Sequence, residues 1–177
     1  MVWWQWVLGV WAVSGLVLWR FPWLIHKPKR LRRDRRVWAI AHRGGSAEQP
    51  ENTLAAFHNA VRLGCDMLEM DVQCTRDGHI VISHDNHLER ITGKSEYISQ
   101  LTYKELPVYV HSFESHFLPQ MCDFEGEFRL ATLEAVFQAF PSTFMCIDIK
   151  NPDPYTIATT VALIRKYSRQ HLTVTFT

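Results

Sequence analysis

Four short charged clusters stand in otherwise apolar surroundings: His42-Arg43, Glu69 with Asp71, His84-Asp85, and Asp148 with Lys150. Glu69 and Asp71 lie two apart in the run Met67 to Val72. Side chains on a strand alternate with a period of two, so both carboxylates point to one side. Two like charges held together need a counter-charge, and hard carboxylate oxygens suit Ca2+ or Mg2+. Asp148 repeats the pattern in the apolar run Phe144 to Ile149 and offers a third oxygen, while Lys150 points the same way and suits a phosphate. His42 and His84 each follow a strand-like run, and imidazole is the side chain best suited to moving protons near neutral pH. Arg43 presents a forked guanidinium that matches phosphate oxygens. Asn52 either orients a ligand or caps the helix that begins near Thr53. Taken singly, each has an ordinary reading as an exposed acid, a hydrogen-bonded loop histidine or a surface arginine. A zinc site built on His84 and His87 lacks a matching second pair of ligands.

Alternating strands and helices have to position these groups. Val37 to Ala41 is a short apolar run ending in His42-Arg43-Gly44-Gly45, and Thr53 to Leu63 places Leu54, Phe57, Ala60 and Val61 at helical spacing before Gly64. Met67 to Val72 alternates, Asp77-Gly78 marks a turn, and His79 to Ser83 reads as the next strand. Asn86 to Arg129 is loop-rich, with short helical patches such as Tyr103 to Leu106. Thr132 to Ala139 and Pro154 to Ser168 then read as helices, and Phe144 to Ile149 and His171 to Phe176 as strands. This order predicts an α/β protein with a parallel sheet, whose catalytic groups sit at the carboxyl ends of the strands.

The N-terminal part is different in kind. No charged residue occurs before Arg20, and tryptophans crowd both ends of residues 1–25, which predicts a transmembrane anchor with interfacial indoles. Residues 26–36 form a basic juxtamembrane linker holding Lys27, Lys29, Arg30, Arg32, Arg33, Arg35 and Arg36, expected to stay cytosolic and to touch anionic lipid. Eight of the 19 basic residues but only one of the 18 acidic ones, Asp34, lie in residues 1–36. Residues 37–177 are therefore net acidic, which argues against nucleic acid as a partner. The four cysteines show no C-x-x-C spacing and read as free thiols.

The segments His42-Arg43-Gly44-Gly45, Glu51-Asn52-Thr53 with Ala55-Ala56-Phe57, Gly64 through Val72, Thr75-Arg76-Asp77-Gly78, Ser83-His84-Asp85 and Ile147-Asp148-Ile149-Lys150 together resemble the successive signatures of the glycerophosphodiester phosphodiesterase family. The resemblance runs from about Trp38 to the end of the chain. It implies a TIM barrel, (β/α)8, that hydrolyses glycerophosphodiesters to an alcohol and glycerol 3-phosphate. It also implies His42 and His84 as the acid/base pair, Glu69 and Asp71 as ligands of a divalent metal ion, and Glu51 and Asn52 as supporting residues. Arg43 and Lys150 would meet the phosphate. Asp148 stands where many members carry Glu, so the third ligand is shorter here. The anchor and basic flank resemble the membrane-bound eukaryotic branch, lysophospholipase D enzymes that release lysophosphatidic acid and an alcohol such as choline. That resemblance implies a lysophospholipid substrate, membrane lipid as a partner, and a single-pass location in the endoplasmic reticulum or perinuclear membrane.

A complete barrel takes roughly 200 to 250 residues. Fewer than that follow the linker, so residues 37–177 are expected to form the N-terminal part of the barrel only. The competing expectation is a catalytically weak, membrane-tethered regulatory fragment that associates with a full-length form.

Overall fold

The computed structural model describes residues 3–20, 38–46, 48–110, 112–115, 118–123 and 128–177. The chain divides into two compact units, Met1–Val37 and Trp38–Thr177. In the first, α1 (Trp4–Arg20) has 17 residues. At about 1.5 Å per residue it measures about 25 Å, short of a hydrocarbon core of roughly 30 Å. Among the described residues no helix is long and apolar enough to cross a membrane. The single span expected over residues 1–25 is thus met only by this shorter helix, whose last described residue is the charged Arg20. Residues 21–25 and the basic linker lie outside the described residues. Several large apolar side chains of α1 are exposed, including Trp11 at 78%, Val13 and Leu16.

The second unit runs β1 (Ile40–Ala41), α2 (Leu54–Arg62), β2 (Met67–Cys74), β3 (Ile80–Ile82), α3 (Glu89–Thr92), β4 (Ser112–Ser115), β5 (Leu118–Asp123), α4 (Leu133–Ala139), β6 (Phe144–Ile149), α5 (Pro154–Lys166) and β7 (Thr173–Phe176). Its main sheet has the order β1-β2-β6-β7, with each neighbouring pair parallel. The expected parallel α/β sheet is present. One strand departs from it: β3 pairs antiparallel with the C-terminal half of β2, because the tight turn at Gly78 (φ 85) folds the chain straight back without a crossover helix. The stretch read as loop also contains the antiparallel β4-β5 hairpin.

Helix starts follow local chemistry. The Thr53 side chain accepts from the Ala56 N–H, and Thr132 accepts from Ala135, which satisfies donors that the first helical turn leaves unpaired. Asp153 caps α5 on Tyr155 and Thr156, with Pro154 at the first helical position. The sheet then sorts its residues by face. Leu68, Met70 and Val72 of β2 and Met145, Ile147 and Ile149 of β6 pack with Phe57, Ala60, Leu133, Val136, Phe137 and Ile164 of the helices into one apolar core. The alternate residues Glu69, Asp71, Cys146 and Asp148 are left for the opposite face.

Arg169, 1% exposed, secures β6 in this layer. Its guanidinium donates to the carbonyls of Phe140 and Thr143 and lies 4.9 Å from the centre of the Phe137 ring. It ties the end of α4 and the turn into β6 to the connection that leads to β7.

Candidate active site

The sheet register explains how distant residues meet. Pairing of β1 with β2 ends at Ala41 opposite Leu68, and pairing of β3 with β2 begins at Val72 opposite Ile82. The loops that follow β1 and β3 therefore converge on Glu69, Met70 and Asp71, and these loops carry His42 and His84. The backbone confirms the closure: Arg43 N–H donates to Glu69 Oε2 at 2.7 Å, and Ser83 N–H donates to the Asp71 carbonyl at 3.0 Å. The antiparallel return of β3 brings His84 back to the level of the carboxylates. Gln73 fastens it there by donating to the His84 carbonyl at 3.0 Å.

Across the sheet, Asp148 of β6 stands directly opposite Asp71 of β2. Lys150 Nζ bridges them, 3.0 Å from Asp71 Oδ1 and 2.5 Å from Asp148 Oδ2. Burial disfavours the charged ammonium, but hydrogen bonds to Asp148 and Asp71 outweigh it and hold Lys150 above its ordinary pKa. Asp71 is 1% exposed and also meets Arg43 Nε at 3.2 Å and Asn52 Nδ2 at 2.9 Å. Asn52 is thus an orienting residue, and the helix cap beside it is Thr53.

Arg43, 4% exposed, lies in the interior with a left-handed backbone (φ 50). Its Nη1 donates to Glu51 Oε1 at 3.1 Å. The guanidinium expected to meet a phosphate is thus aimed at two buried carboxylates, and Lys150 is the cation nearer the open side of the site. Glu51 also receives Arg90 Nη2 at 2.7 Å, and the Tyr109 hydroxyl donates to its backbone carbonyl at 3.2 Å.

The two histidines differ. His42 is half exposed, its Nε2 3.8 Å from Glu69 Oε2. Burial lowers its pKa and the charge of Arg43 adds to this, against the opposing charges of Asp71 and Glu51. His84 Nδ1 lies 2.6 Å from Asp85 Oδ1, and Asp85 Oδ2 accepts from Arg90 Nε at 2.7 Å. Burial pushes Asp85 up, but the hydrogen bonds from His84 and Arg90 bring it down to about 2. A cavity of about 690 Å³ opens here, lined by His84, Asp85, Arg90 and Lys150 among others. Nothing in the spacing of Arg90 or Tyr109 marked them in the sequence. Their relevance comes from α3 and its following loop packing back over Glu51.

Among the described residues, no three His, Cys, Asp or Glu side chains converge on one metal position, and Lys150 Nζ stands between Asp71 and Asp148. The donor set nevertheless fits a hard divalent cation. Burial pushes the Glu69 carboxyl up to about 7, and the charges of Asp71 and Asp148 push the same way against the N–H and charge of Arg43. A carboxylate in that setting gains from a nearby cation, and carboxylate oxygens such as those of Glu69, Asp71 and Asp148 are of the hard kind that suits a divalent one.

Residues 42–173 match the model of the glycerophosphoryl diester phosphodiesterase family. The human protein named lysophospholipase D GDPD1 is 42% identical over 168 residues, covering 94% of this chain and 52% of that protein. Human lysophospholipase D GDPD3 is 36% identical over 167 residues, again with 94% and 52% covered. The chain thus spans about half the length of the curated relatives it matches. Among solved structures, a glycerophosphodiester phosphodiesterase from Agrobacterium tumefaciens aligns with a TM-score of 0.63 at 25% identity over 77% of this chain and 56% of that one. A phosphodiesterase from Oleispira antarctica, solved with the product sn-glycerol-3-phosphate, aligns with a TM-score of 0.60 at 27% identity, covering 80% and 58%. The likeness assigns the α/β sheet described above to the TIM-barrel-like fold of these enzymes.

Proposed function

This chain belongs to the glycerophosphoryl diester phosphodiesterase family, and from that premise we propose that it hydrolyses the phosphodiester bond of glycerophosphodiesters, lysophospholipids foremost, releasing lysophosphatidic acid and an alcohol such as choline. The observation that carries the reading is the convergence of the two histidine loops on Glu69 and Asp71, with Lys150 beside them. Glu69, Asp71 and Asp148 would hold a divalent cation, Ca2+ or Mg2+, whose chemistry when bound is to offset the charge of the phosphodiester. Lys150 adds a second positive charge at the open side. His84 is set through Nδ1 on an ionised Asp85 and serves as the base toward the attacking oxygen, a water or a neighbouring glycerol hydroxyl. His42, half exposed beside Glu69, is the second proton carrier and protonates the leaving alkoxide. Arg43 and Glu51 hold the His42 loop in register with β2.

The preference for lysophospholipids is supported by the names of the human relatives and by the exposed apolar side chains of α1. A surface carrying Trp11, Val13 and Leu16 favours attachment to a lipid surface, and the basic run of residues 26–36 favours anionic headgroups on the cytosolic side. The test is choline release by the purified full chain from lysophosphatidylcholine in vesicles and from soluble glycerophosphocholine, with Ca2+ or Mg2+ and with chelator. Cation-dependent turnover that is faster on the lysolipid is expected. A folded chain that hydrolyses neither diester would overturn the reading.

A further inference from the structure

We propose that Arg90 is a positioning residue for His84, acting through Asp85 and anchored on the buried carboxylate of Glu51. The proposal rests on the acid/base role given to His84 above and adds the group that sets its ring.

The geometry is a chain of four side chains. His84 Nδ1 lies 2.6 Å from Asp85 Oδ1, Asp85 Oδ2 accepts from Arg90 Nε at 2.7 Å, and Arg90 Nη2 donates to Glu51 Oε1 at 2.7 Å. Each oxygen of Asp85 is thus engaged by a different residue, which fixes the plane of the carboxylate as well as its place. Because Asp85 is ionised at neutral pH, the ring nitrogen facing it must carry a proton. That leaves Nε2 of a neutral His84 as the acceptor. If the carboxylate were free to turn, this choice of tautomer would be lost.

Arg90 is well placed to resist that turning. It belongs to the short helix α3, whose Ile91, together with the preceding Leu88, is buried in a separate apolar cluster with Val81, Ile98 and Leu130. Its far end rests on Glu51, which is 2% exposed and shares the same oxygen, Oε1, with Arg43 Nη1. One buried oxygen therefore ties the arginine behind His84 to the arginine beside His42. The two histidine loops share an anchor although they come from different strands. Two charge-assisted bonds from a planar guanidinium give this tie a directionality that an ammonium cannot reproduce.

The test uses the full chain with Arg90→Gln and Arg90→Lys, melting curves confirming the fold. The first readout is the proton NMR resonance of His84 Nδ1–H, assigned by its loss in His84→Gln. It is expected far downfield in the wild type, lost to exchange in Arg90→Gln, and partly recovered in Arg90→Lys. An unchanged resonance in folded Arg90→Gln overturns the proposal. This readout needs no turnover, so a chain that fails to hydrolyse diesters sinks the proposed function while leaving the positioning role to be decided by the spectrum. The second readout is kinetic: kcat is expected to fall 10- to 100-fold with KM within about twofold, and millimolar guanidinium to restore part of it. A raised KM at unchanged kcat would make Arg90 a substrate ligand and overturn the positioning role. Should Arg90→Gln unfold, Arg90→Lys decides alone, with wild-type spectrum and kcat counting against the proposal.

Discussion

Asn52 and Asp71 hold each other reciprocally. Asn52 Nδ2 donates to Asp71 Oδ2 at 2.9 Å, and the backbone N–H of Asp71 donates to Asn52 Oδ1 at 3.3 Å. The pair locks the loop after β1 to the strand that carries the carboxylates, and it does so with Asn52 in a left-handed backbone (φ 59).

Replacing Asn52 separates these two contributions. Asn52→Ala loses the hydrogen bonds and keeps the backbone strain, and should cost about 2 to 4 kcal/mol. Asn52→Gly loses the same bonds but adopts φ > 0 freely, and should be less destabilising by about 1 kcal/mol. Denaturant unfolding of both variants checks the order. Both should lower kcat, since Asp71 loses one of the groups that orient it.

Glu69 should leave a mark on the pH dependence of stability. Its carboxyl is raised from 4.5 to about 7 by burial, with Asp71 and Asp148 adding to the effect. A carboxyl raised on folding binds its proton more tightly in the native state, so stability is greatest at low pH and falls as pH rises from about 4.5 through about 7. The full effect is on the order of 3 kcal/mol. Melting curves in chelator should show a downward slope in that window for the wild type relative to Glu69→Gln. Ca2+ or Mg2+ should flatten it. Equal slopes for the two proteins would remove Glu69 as the titrating group.

Much of the placement of these residues is legible in the sequence. Alternation placed Glu69 and Asp71 on one face and Asp148 with Lys150 on another strand, and the register then set Asp71 opposite Asp148. Period-two patterning is a local property, so it survives without tertiary knowledge. The direction of β3 does not follow from its own residues, because Ile80 to Ile82 is equally apolar in either orientation. The tight turn at Asp77-Gly78 decides it, and the pairing of Val72 with Ile82 is the result. Arg43 was legible as a cation but not as a buried one, since its burial depends on Glu51 and Asp71 arriving from two other segments. Arg169 carries no such mark in the sequence, because a buried arginine held by carbonyls and a ring shows no acidic partner there.

Lys150 acts as the protein's own cation between Asp71 and Asp148, so removing it should expose their repulsion. Lys150→Met is expected to lower stability by about 1 to 3 kcal/mol in chelator. The gain in melting temperature on adding Ca2+ should be larger than in the wild type, because a divalent ion then meets two carboxylates with no competing ammonium. Turnover should nevertheless fall by 10²-fold or more if Lys150 offsets phosphate charge. Thermal shift and choline release measured on the same samples distinguish a lost counter-charge from general unfolding.

Gly44 and Gly45 offer a paired test of how tightly the His42 loop is set. Both have left-handed backbones, φ 79 and φ 87, so alanine at either position carries a backbone penalty of about 1 kcal/mol. Their surroundings differ. A Cβ on Gly45 meets nothing within 4 Å, whereas one on Gly44 would lie 2.8 Å from Ala56 Cβ and 2.8 Å from Phe57 Cδ1. Phe57 is fully buried against the core and Ala56 sits in the first turn of α2, so neither can withdraw cheaply. Gly44→Ala must therefore push the turn away from α2, taking with it the Arg43 N–H that fixes Glu69 and the imidazole of His42. It should destabilise by about 2 to 4 kcal/mol in total and reduce kcat more than tenfold, while Gly45→Ala should stay within about 1.5 kcal/mol and keep most of its activity. Unfolding curves and choline release for the two variants side by side check this. Equal effects at the two positions would show that the close packing of the loop on α2 does not set the His42 geometry.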